Sequence, residues 1–411
     1  MNKIFTLSLI FWGSLWSFAQ ETKKDSLIEK DTKVLVSKEK LKELHLDALP
    51  YYSFGKGVGI TSPDSLYQFN IRFRMQNRFS VIDNDEDEKI GYEGYIRRLR
   101  LRFDGFVGNP KFGYAIQLSF APKDVNGNHI IRDAVVFYKP NKKWLFSLGQ
   151  TKLPGNRQRI NSSGALQLTD RSINNATFNI DRDFGFQAHY LKQSTDKFSY
   201  NLKTAVTMGE GRDFVGVNNG LAYTARLEIL PLGKFKKGGE YFEGDILREE
   251  TPKLYFGATY HYNHNATKTQ GQNGKTLENN QTRNLQSVLV DGLMKYNGWA
   301  AMVSYMQRNA NNPVADVAKK SFVQVGRGFD TQLSYVFPSN WEIIGRFSQQ
   351  NPYKQIENLV PKKNQYSIGV TKYIWEHAFK AQLEVTKDES FYLNGKKTND
   401  WYARIQVEIG I

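Results

Sequence analysis

Apolar and polar residues alternate along two neighbouring stretches in the first quarter of the chain. From Phe69 to Val81, every odd position except Asn77 is apolar, and the even positions carry arginine, asparagine, glutamine or serine. From Tyr95 to Val107, the alternation separates leucine and phenylalanine from a row of arginines. A period of two predicts β-strands, and both stretches exceed the usual length of a strand in a soluble domain. Each predicted strand therefore has one apolar face and one cationic face.

Alternating segments of this kind recur as far as the C-terminus. Sixteen can be counted, at about 69–81, 95–107, 111–120, 130–139, 143–151, 183–192, 198–208, 220–231, 253–263, 283–296, 298–308, 329–337, 341–349, 364–374, 378–387 and 401–411. Each is close to the roughly 9–11 residues that cross an outer membrane as a tilted strand. An even number of such segments predicts an all-β fold, a closed antiparallel transmembrane β-barrel of about 16 strands.

The lengths of the links between these segments supply a second test. Outer-membrane barrels join their strands by short periplasmic turns and long outer loops in alternation. The links after even-numbered segments are mostly tight, as at 108–110, 140–142 and 338–340, whereas those after odd-numbered segments are long. A soluble β-sandwich or propeller would explain the apolar stripe but predicts no such rule. One link, 232–252, is long where the barrel requires a short turn.

Composition and charge exclude several further classes of protein and of functional site. The 411 residues include 56 Lys and Arg against 41 Asp and Glu, a net charge of +15, with 40% hydrophobic residues and no cysteine. This balance does not fit a disordered chain, and the missing thiols exclude disulfides, thiolate metal sites and cysteine nucleophiles. Residues 1–19 read as a secretory signal peptide ending in Ser17-Phe18-Ala19,. We expect a periplasmic leader at 20–60 and the barrel at 61–411.

The strand at 91–105 carries a double arginine in the motif Tyr-Ile-Arg-Arg-Leu-Arg-Leu-Arg. This motif resembles the phosphate-selective porin O and P family. Further stretches similar to the family are Gly149 to Pro154 followed by Arg157 and Arg159, Asp181 to Gly185, Met294 to Trp299, and Trp341 to Arg346. The likeness runs from about Gly55 to the C-terminus. One departure is Ile411, because such barrels usually end in an aromatic residue.

The resemblance implies a trimeric sixteen-stranded barrel in a Gram-negative outer membrane. Its pore would be narrowed by an infolded constriction loop and lined by arginines and lysines that pass phosphate. By position, Arg97 and Arg98 match the arginine pair of the family, and the segment from Lys152 to Arg182 matches the constriction loop. Four cations of that segment, Lys152, Arg157, Arg159 and Arg182, are therefore candidates for the pore lining.

The alternation itself assigns further side chains to the lumen, because one face of a membrane strand meets hydrocarbon and the other meets water. By this reasoning the inward cations on the first two strands are Arg72, Arg74, Arg78, Arg98, Arg100 and Arg102. On later strands they are Lys203, Arg226, Arg308, Arg346, Lys380 and Arg404. A guanidinium offers a fork of donors that matches two phosphate oxygens. The sequence thus predicts an anion-selective channel for phosphate or similar small anions.

Three other functions remain open at this stage. A general diffusion porin with mild anion preference would oppose its arginines with carboxylates, and the inward carboxylates are Asp104, Glu228, Glu342, Glu384 and Glu408. An outer-membrane enzyme or a sealed structural barrel belongs to a different class, although no nucleophile with a neighbouring base is recognisable. The sequence predicts no cofactor, no metal and no nucleic-acid partner. Its expected partners are small anions, outer-membrane lipid, lipopolysaccharide and two further copies of the chain.

Overall fold

The computed structural model describes residues 51–53, 57–86, 89–125 and 129–411. Twenty strands are formed within this part of the chain. In chain order they are β1 Tyr51–Ser53, β2 Gly57–Thr61, β3 Tyr67–Asp83, β4 Gly91–Val107, β5 Phe112–Ser119, β6 Ile131–Tyr138, β7 Trp144–Lys152, β8 Arg182–Lys192, β9 Ser199–Thr207, β10 Ala222–Leu230, β11 Lys253–Ala266, β12 Arg283–Tyr296, β13 Trp299–Ala310, β14 Val314–Asp316, β15 Ser321–Phe322, β16 Gly326–Val336, β17 Trp341–Pro352, β18 Lys362–Trp375, β19 Phe379–Phe391 and β20 Lys397–Gly410.

Sixteen of these strands form a closed antiparallel barrel. Strands β3 to β13 pair in sequence, β16 pairs with β13, and β16 to β20 again pair in sequence. Strand β20 then returns to β3, with Trp401 opposite Asp83 and Gly410 opposite Arg74, which closes the wall. Each of the sixteen predicted segments coincides with one barrel strand to within four residues at either end. The predicted fold is therefore confirmed.

The two faces of the wall differ in polarity as a membrane barrel requires, with apolar side chains outside and polar ones inside. On β3 the apolar side chains are the more exposed ones: Ile71 and Phe73 are 37% and 38% exposed, whereas Gln76 and Arg78 are buried. Aromatic rings also stack on the outer face near the short turns, for example Trp144 on Phe146 and Phe112 on Tyr138. An apolar outer band edged by aromatic rings suits a lipid surface.

Strand β2 extends the wall at the seam between β20 and β3. Val58 lies opposite Ile71 and Thr61 opposite Gln68, so β2 pairs with the part of β3 that β20 leaves unpaired. Strand β1 pairs in turn with β2. The predicted signal peptide and most of the predicted leader lie outside the described residues, and the proposed boundaries at 19 and 60 stay predictions.

Two segments depart from simple loops and turns. Residues 153–181, which we call the lumenal loop, join β7 to β8 and contain the helices Arg157–Ile160 and Ile173–Phe178 and the 3-10 turn Ser163–Ala165. Residues 231–252, which we call the connector, join β10 to β11 and contain the 3-10 segment Lys236–Tyr241. In the described residues, no helix is both long and apolar enough to cross a membrane.

Candidate anion pathway

The lumenal loop folds as a series of capped short turns. The hydroxyl of Ser162 accepts a hydrogen bond from the main-chain N–H of Gly164, and that of Ser172 accepts one from Asn175. Serine caps satisfy main-chain donors that a short helix leaves free at its start. Such local satisfaction allows a polar segment to leave the membrane edge and fold into the barrel.

The loop is anchored to the wall formed by β12, β13 and β16 to β19, which we call the far wall. Thr169 donates from its N–H and its hydroxyl to Glu384 at 2.8 and 2.6 Å, and Ser172 donates to Asp330 at 2.9 Å. Lys380 Nζ donates to the main-chain oxygens of Gly164 and Leu166 at 2.8 and 2.5 Å. Buried polar groups on both partners are thereby satisfied.

Apolar contacts strengthen the same attachment. Leu153, Phe178 and Ile180 at the two ends of the loop pack in one buried cluster with Leu289 and Met306 of the far wall. Burial of such side chains stabilises the packed state by roughly 1.5–3 kcal/mol each. The loop is therefore held against one side of the barrel, and free space remains on the other.

That space is a cavity of about 700 Å³ between the loop and strands β4 to β8, which we call the near wall. Among the residues that the structure describes, its charged lining comprises eleven cationic and four acidic side chains, an excess of seven positive charges. The cations are Arg97, Arg98, Arg100, Arg102, Lys123, Arg132, Lys152, Arg159, Arg171, Arg182 and Arg212, and the acids are Asp124, Asp133, Asp170 and Asp181.

A β-bulge in β4 brings two consecutive arginines into this cavity. Gln76 of β3 lies opposite Arg98 and Asn77 lies opposite Ile96, so Arg97 is the extra residue. A bulge re-aims side chains that strict alternation would separate. As a result, Arg97 and Arg98 both reach Asp170 of the loop, at 3.1 and 3.5 Å.

A second bulge has the same effect in β6. Gln117 lies opposite Asp133 and Leu118 lies opposite Ile131, so Arg132 has no direct partner in the register. Arg132 and Asp133 are both buried and both line the cavity. Arg132 binds Asp124 at 3.2 Å, while Asp133 binds Arg182 at 3.0 Å.

Asp170 is the acidic centre of the site. Its carboxylate lies 2.5 Å from Arg78, 3.1 Å from Arg97, and 3.5 Å from both Arg98 and Arg404. Burial alone would raise the pKa of this carboxyl, but the facing arginines outweigh it and hold the pKa well below its usual range,. The loop thus presents a permanent negative charge to the arginines of β3, β4 and β20.

Asp181 plays a similar part where the loop joins β8. Arg159 pairs with its carboxylate, and Arg182 lies 3.4 Å away. Burial opposes ionisation here as well, but Arg159 and Arg182 lower the pKa of Asp181 well below the ordinary value. Lys152 and Arg171 instead donate to main-chain oxygens of the loop, sharing that of Asn161.

The predicted site residues fall into two groups. Those that line the cavity are Arg97, Arg98, Arg100, Arg102, Lys152, Arg159 and Arg182. Those that lie elsewhere in the lumen are Arg72, Arg74, Arg78, Arg157, Lys203, Arg226, Arg308 and Arg346. Arg72 pairs with Asp104 next to Arg102, and Arg74 donates to Ser163 at 2.6 Å.

The buried cations of strands β9 to β13 and β16 to β19, which we call the far half, stabilise the structure. Arg226 is fully buried and binds Asp291 at 2.8 Å and Glu228 at 2.9 Å, and Lys203 binds the same Glu228 at 2.7 Å. Arg308 donates to the main-chain oxygens of Thr177 and Asn179 in the loop. Arg346 donates to another loop carbonyl, that of Asp170, and Arg157 of the loop itself donates to the carbonyl of Phe242 in the connector.

Sequence reasoning missed four cations and all four aspartates of the cavity: Lys123, Arg132, Arg171, Arg212, Asp124, Asp133, Asp170 and Asp181. The adjacent charges of Arg132 and Asp133 in an otherwise alternating segment were a usable sign of a bulge. The outer-loop helix Pro122–Val125 carries Asp124, which binds Arg100 through both oxygens. No periodicity could have placed this residue.

The family of the chain follows from comparison with known proteins. A family model described as phosphate-selective porin O and P matches residues 69–407. The chain belongs to this family. The double arginine of β4, the lumenal loop and the closed barrel are therefore parts of an outer-membrane porin, a channel rather than an enzyme fold.

Solved porin structures share the fold at low identity. The outer membrane channel DcaP of Acinetobacter baumannii is 12% identical with a TM-score of 0.53, covering 84% of this porin and 97% of that chain. An anion-selective porin from Comamonas acidovorans is 10% identical with a TM-score of 0.52, covering 84% and 100%. Pseudomonas putida OprB is 8% identical with a TM-score of 0.53, covering 84% and 94%. A search of curated sequences gives no match.

Proposed function

We propose that this porin is an anion-selective channel through which phosphate or similar small anions diffuse into the periplasm. The observation that carries the proposal is the excess of seven positive charges around a single cavity between the lumenal loop and the near wall. Charge of one sign between low-dielectric walls concentrates ions of the opposite sign. Anions are therefore recruited to this passage and cations are repelled.

The register of β3 and β4 supports the same conclusion. Arg72 lies directly opposite Arg102, and Arg74 directly opposite Arg100. Like charges facing each other across two strands destabilise a sheet. A role in binding anions explains why such an arrangement is useful, because a permeating anion is shared between successive arginines.

Two arginines of the cavity lining keep a donor without a partner. The Nε atoms of Arg98 and Arg132 are buried and have no hydrogen-bond partner in the described part of the chain. A buried donor without a partner is costly, so a side-chain rearrangement that brings an acceptor such as an anion to these atoms would stabilise the lining. Phosphate has enough oxygens to serve several guanidinium groups at once.

A general diffusion porin with mild anion preference is the second candidate. The observation in its favour is that Asp124, Asp133, Asp170 and Asp181 already pair with arginines of the lining, which reduces the charge offered to a permeating ion. Selectivity then depends on the unbalanced cations alone. The family relationship favours phosphate, and it is also the reason to expect a homotrimer surrounded by outer-membrane lipid and lipopolysaccharide.

Electrophysiology in planar bilayers tests the proposal. In a salt gradient, the reversal potential is expected to indicate preference for anions. Millimolar phosphate is expected to reduce chloride current more strongly than equal sulfate. A cation-selective reversal potential would contradict anion passage, and equal block by the two anions would favour the general porin.

A further inference from the structure

The connector at residues 231–252 lies where the barrel otherwise uses short turns. Four of its carboxylate side chains are buried: Glu240, Glu243, Asp245 and Glu249. A turn projecting into the periplasm would leave such groups in water. Their burial shows that the connector folds back into the lumen.

An apolar contact fixes the connector to the inner surface of the barrel. Phe235 packs in a buried cluster with Leu230, Tyr255, Leu293 and Met302 of the surrounding strands. Inward apolar residues on four neighbouring strands are unusual for a water-filled pore, where the lumen face is polar. These apolar side chains form a surface on which the connector packs, so this part of the lumen is filled rather than open.

The inner end of the connector meets the lumenal loop through Glu243. The N–H of Glu243 donates to the main-chain oxygen of Ala165 at 3.1 Å, and its carboxylate accepts from the N–H of Gln167 at 3.2 Å. The same carboxylate accepts from the side-chain amide of Gln158 at 3.2 Å. One buried residue thus binds the loop at three positions.

Gly244, the next residue, shows how close the two segments are. Its φ is +64°, and a Cβ built there would lie 2.7 Å from Glu342 Oε1 and 2.9 Å from the side-chain amide of Gln167. Both the left-handed backbone and the lack of space require glycine. The contact between connector and loop is therefore a close fit.

The opposite side of this loop segment faces the arginines. Ser162 and Ser163 accept hydrogen bonds from Arg74, and Ser163 also accepts one from Arg100. Only Gly164, Ala165 and Leu166 separate Ser163 from Gln167. Movement of the loop away from the connector would break its bonds to Glu243, and movement away from β3 and β4 would break the bonds to the serines.

We propose that the connector is a second constriction element, in which Glu243 is a positioning residue. It supports the lumenal loop from the periplasmic side and thereby fixes the distance between the loop and the arginines of β3 and β4. The width of the passage depends on this support. The inference does not depend on which ion passes, because it concerns the size of the opening and not its charge.

Single-channel recordings of Glu243 variants test the proposal, with Glu250→Ala as the matched control. The Glu250 side chain belongs to the same connector but is 85% exposed, so its removal changes the charge equally without touching the loop. Glu243→Ala is expected to raise the conductance by about 1.5- to 2-fold with more current noise. Glu243→Gln keeps one acceptor oxygen but turns its NH2 toward the donor that faced the other oxygen, so it is expected to restore the native value only in part,. Equal conductance of Glu243→Ala, Glu250→Ala and the native porin would overturn the proposal.

A reversible crosslink covers the case in which Glu243→Ala is not recovered as a folded barrel. The chain contains no cysteine, so Ala165→Cys with Glu243→Cys introduces a single pair. Residues joined by a main-chain hydrogen bond lie within disulfide range. The oxidised variant is expected to conduct like the native porin, and reduction is expected to widen it. Failure to form the disulfide in folded protein, or identical conductance in both redox states, would show that the connector does not set the opening.

Discussion

Lumen-facing cations serve different purposes on the near wall and in the far half of the barrel. On the near wall, Arg97, Arg98 and Arg100 face a cavity and pair with aspartates that are themselves part of its lining. In the far half, Arg226 and Lys380 are fully buried and bind carboxylates or loop carbonyls. Alternation therefore identifies the cations that face the lumen. Whether such a cation contacts permeating ions or anchors the lumenal loop depends on which residues cover its side chain.

Charge reversal on the near wall gives the largest expected effect. Replacing Arg98 and Arg100 by Glu removes two cations and adds two anions at the cavity, and we expect the ratio of anion to cation permeability to fall by tenfold or more, about the range of charge-focusing effects. Reversal potentials in a salt gradient measure the ratio. The control is the outer-loop double variant with Lys319→Glu and Lys396→Glu, whose parent side chains are exposed. If both double variants behave alike, the near wall does not govern selectivity.

A matching change in the far half is expected to affect stability and leave selectivity intact. Arg226→Gln leaves Asp291 and Glu228 buried with less compensation, which costs about 3–5 kcal/mol of unfolding free energy,. Urea unfolding in detergent measures the loss. Adding Asp291→Asn removes one of the uncompensated charges and should recover part of the stability. A normal unfolding curve together with altered selectivity would contradict the proposed difference in function between the near wall and the far half.

Removal of the acidic centre is expected to have a smaller effect. Asp170→Asn frees the surrounding arginines from a fixed negative charge, and we expect phosphate to block chloride current at about three- to tenfold lower concentration, because in a water-filled passage two unit charges about 4 Å apart interact by about 1 kcal/mol. Asp316→Asn, in the outer hairpin formed by β14 and β15, is the control. Weaker phosphate block in Asp170→Asn would mean that Asp170 organises the arginines rather than competing with the ion.

Acidification gives the smallest expected change. The pKa of Asp170 is lowered, so its ion pairs are fully present above the ordinary carboxyl pKa and are lost only as the pH falls through the lowered value,. Selectivity should consequently stay constant between pH 7 and about pH 5. Recordings of native porin and Asp170→Asn at both pH values check this. A rise in anion preference by pH 5 that is absent from Asp170→Asn would show a raised pKa, because even a carboxyl of ordinary pKa stays mostly ionised at pH 5.

The barrel was predictable because alternation is a local property of each strand. The burial pattern of β3 follows directly from its odd and even positions. The bulges at Arg97 and Arg132 were not predictable in the same way, because a bulge is defined by the register of the partner strand. Arg97 entered the predicted site through family resemblance, and Arg132 was missed.

The sequence contains a sign that part of the lumen is packed and not open, but alternation alone does not reveal it. In β12, Leu285, Leu289 and Leu293 face inward while Val288 and Val290 face outward, so the strand carries large apolar residues on both faces. A strand of that kind is covered on both sides. Alternation placed Arg226 and Arg308 in the lumen but did not determine their roles, because their partners come from other strands or from the loop and sequence spacing does not report such contacts.

The bulge in β4 has a consequence for how such channels could diversify. The ladder is in register on both sides of Arg97, with Asn77 opposite Ile96 and Gln76 opposite Arg98. Deleting this one residue would therefore leave every other lipid-facing and water-facing side chain where it is. A single-codon insertion or loss at this point can add or remove a guanidinium from the tunnel, a route to new permeation properties that needs no redesign of the wall.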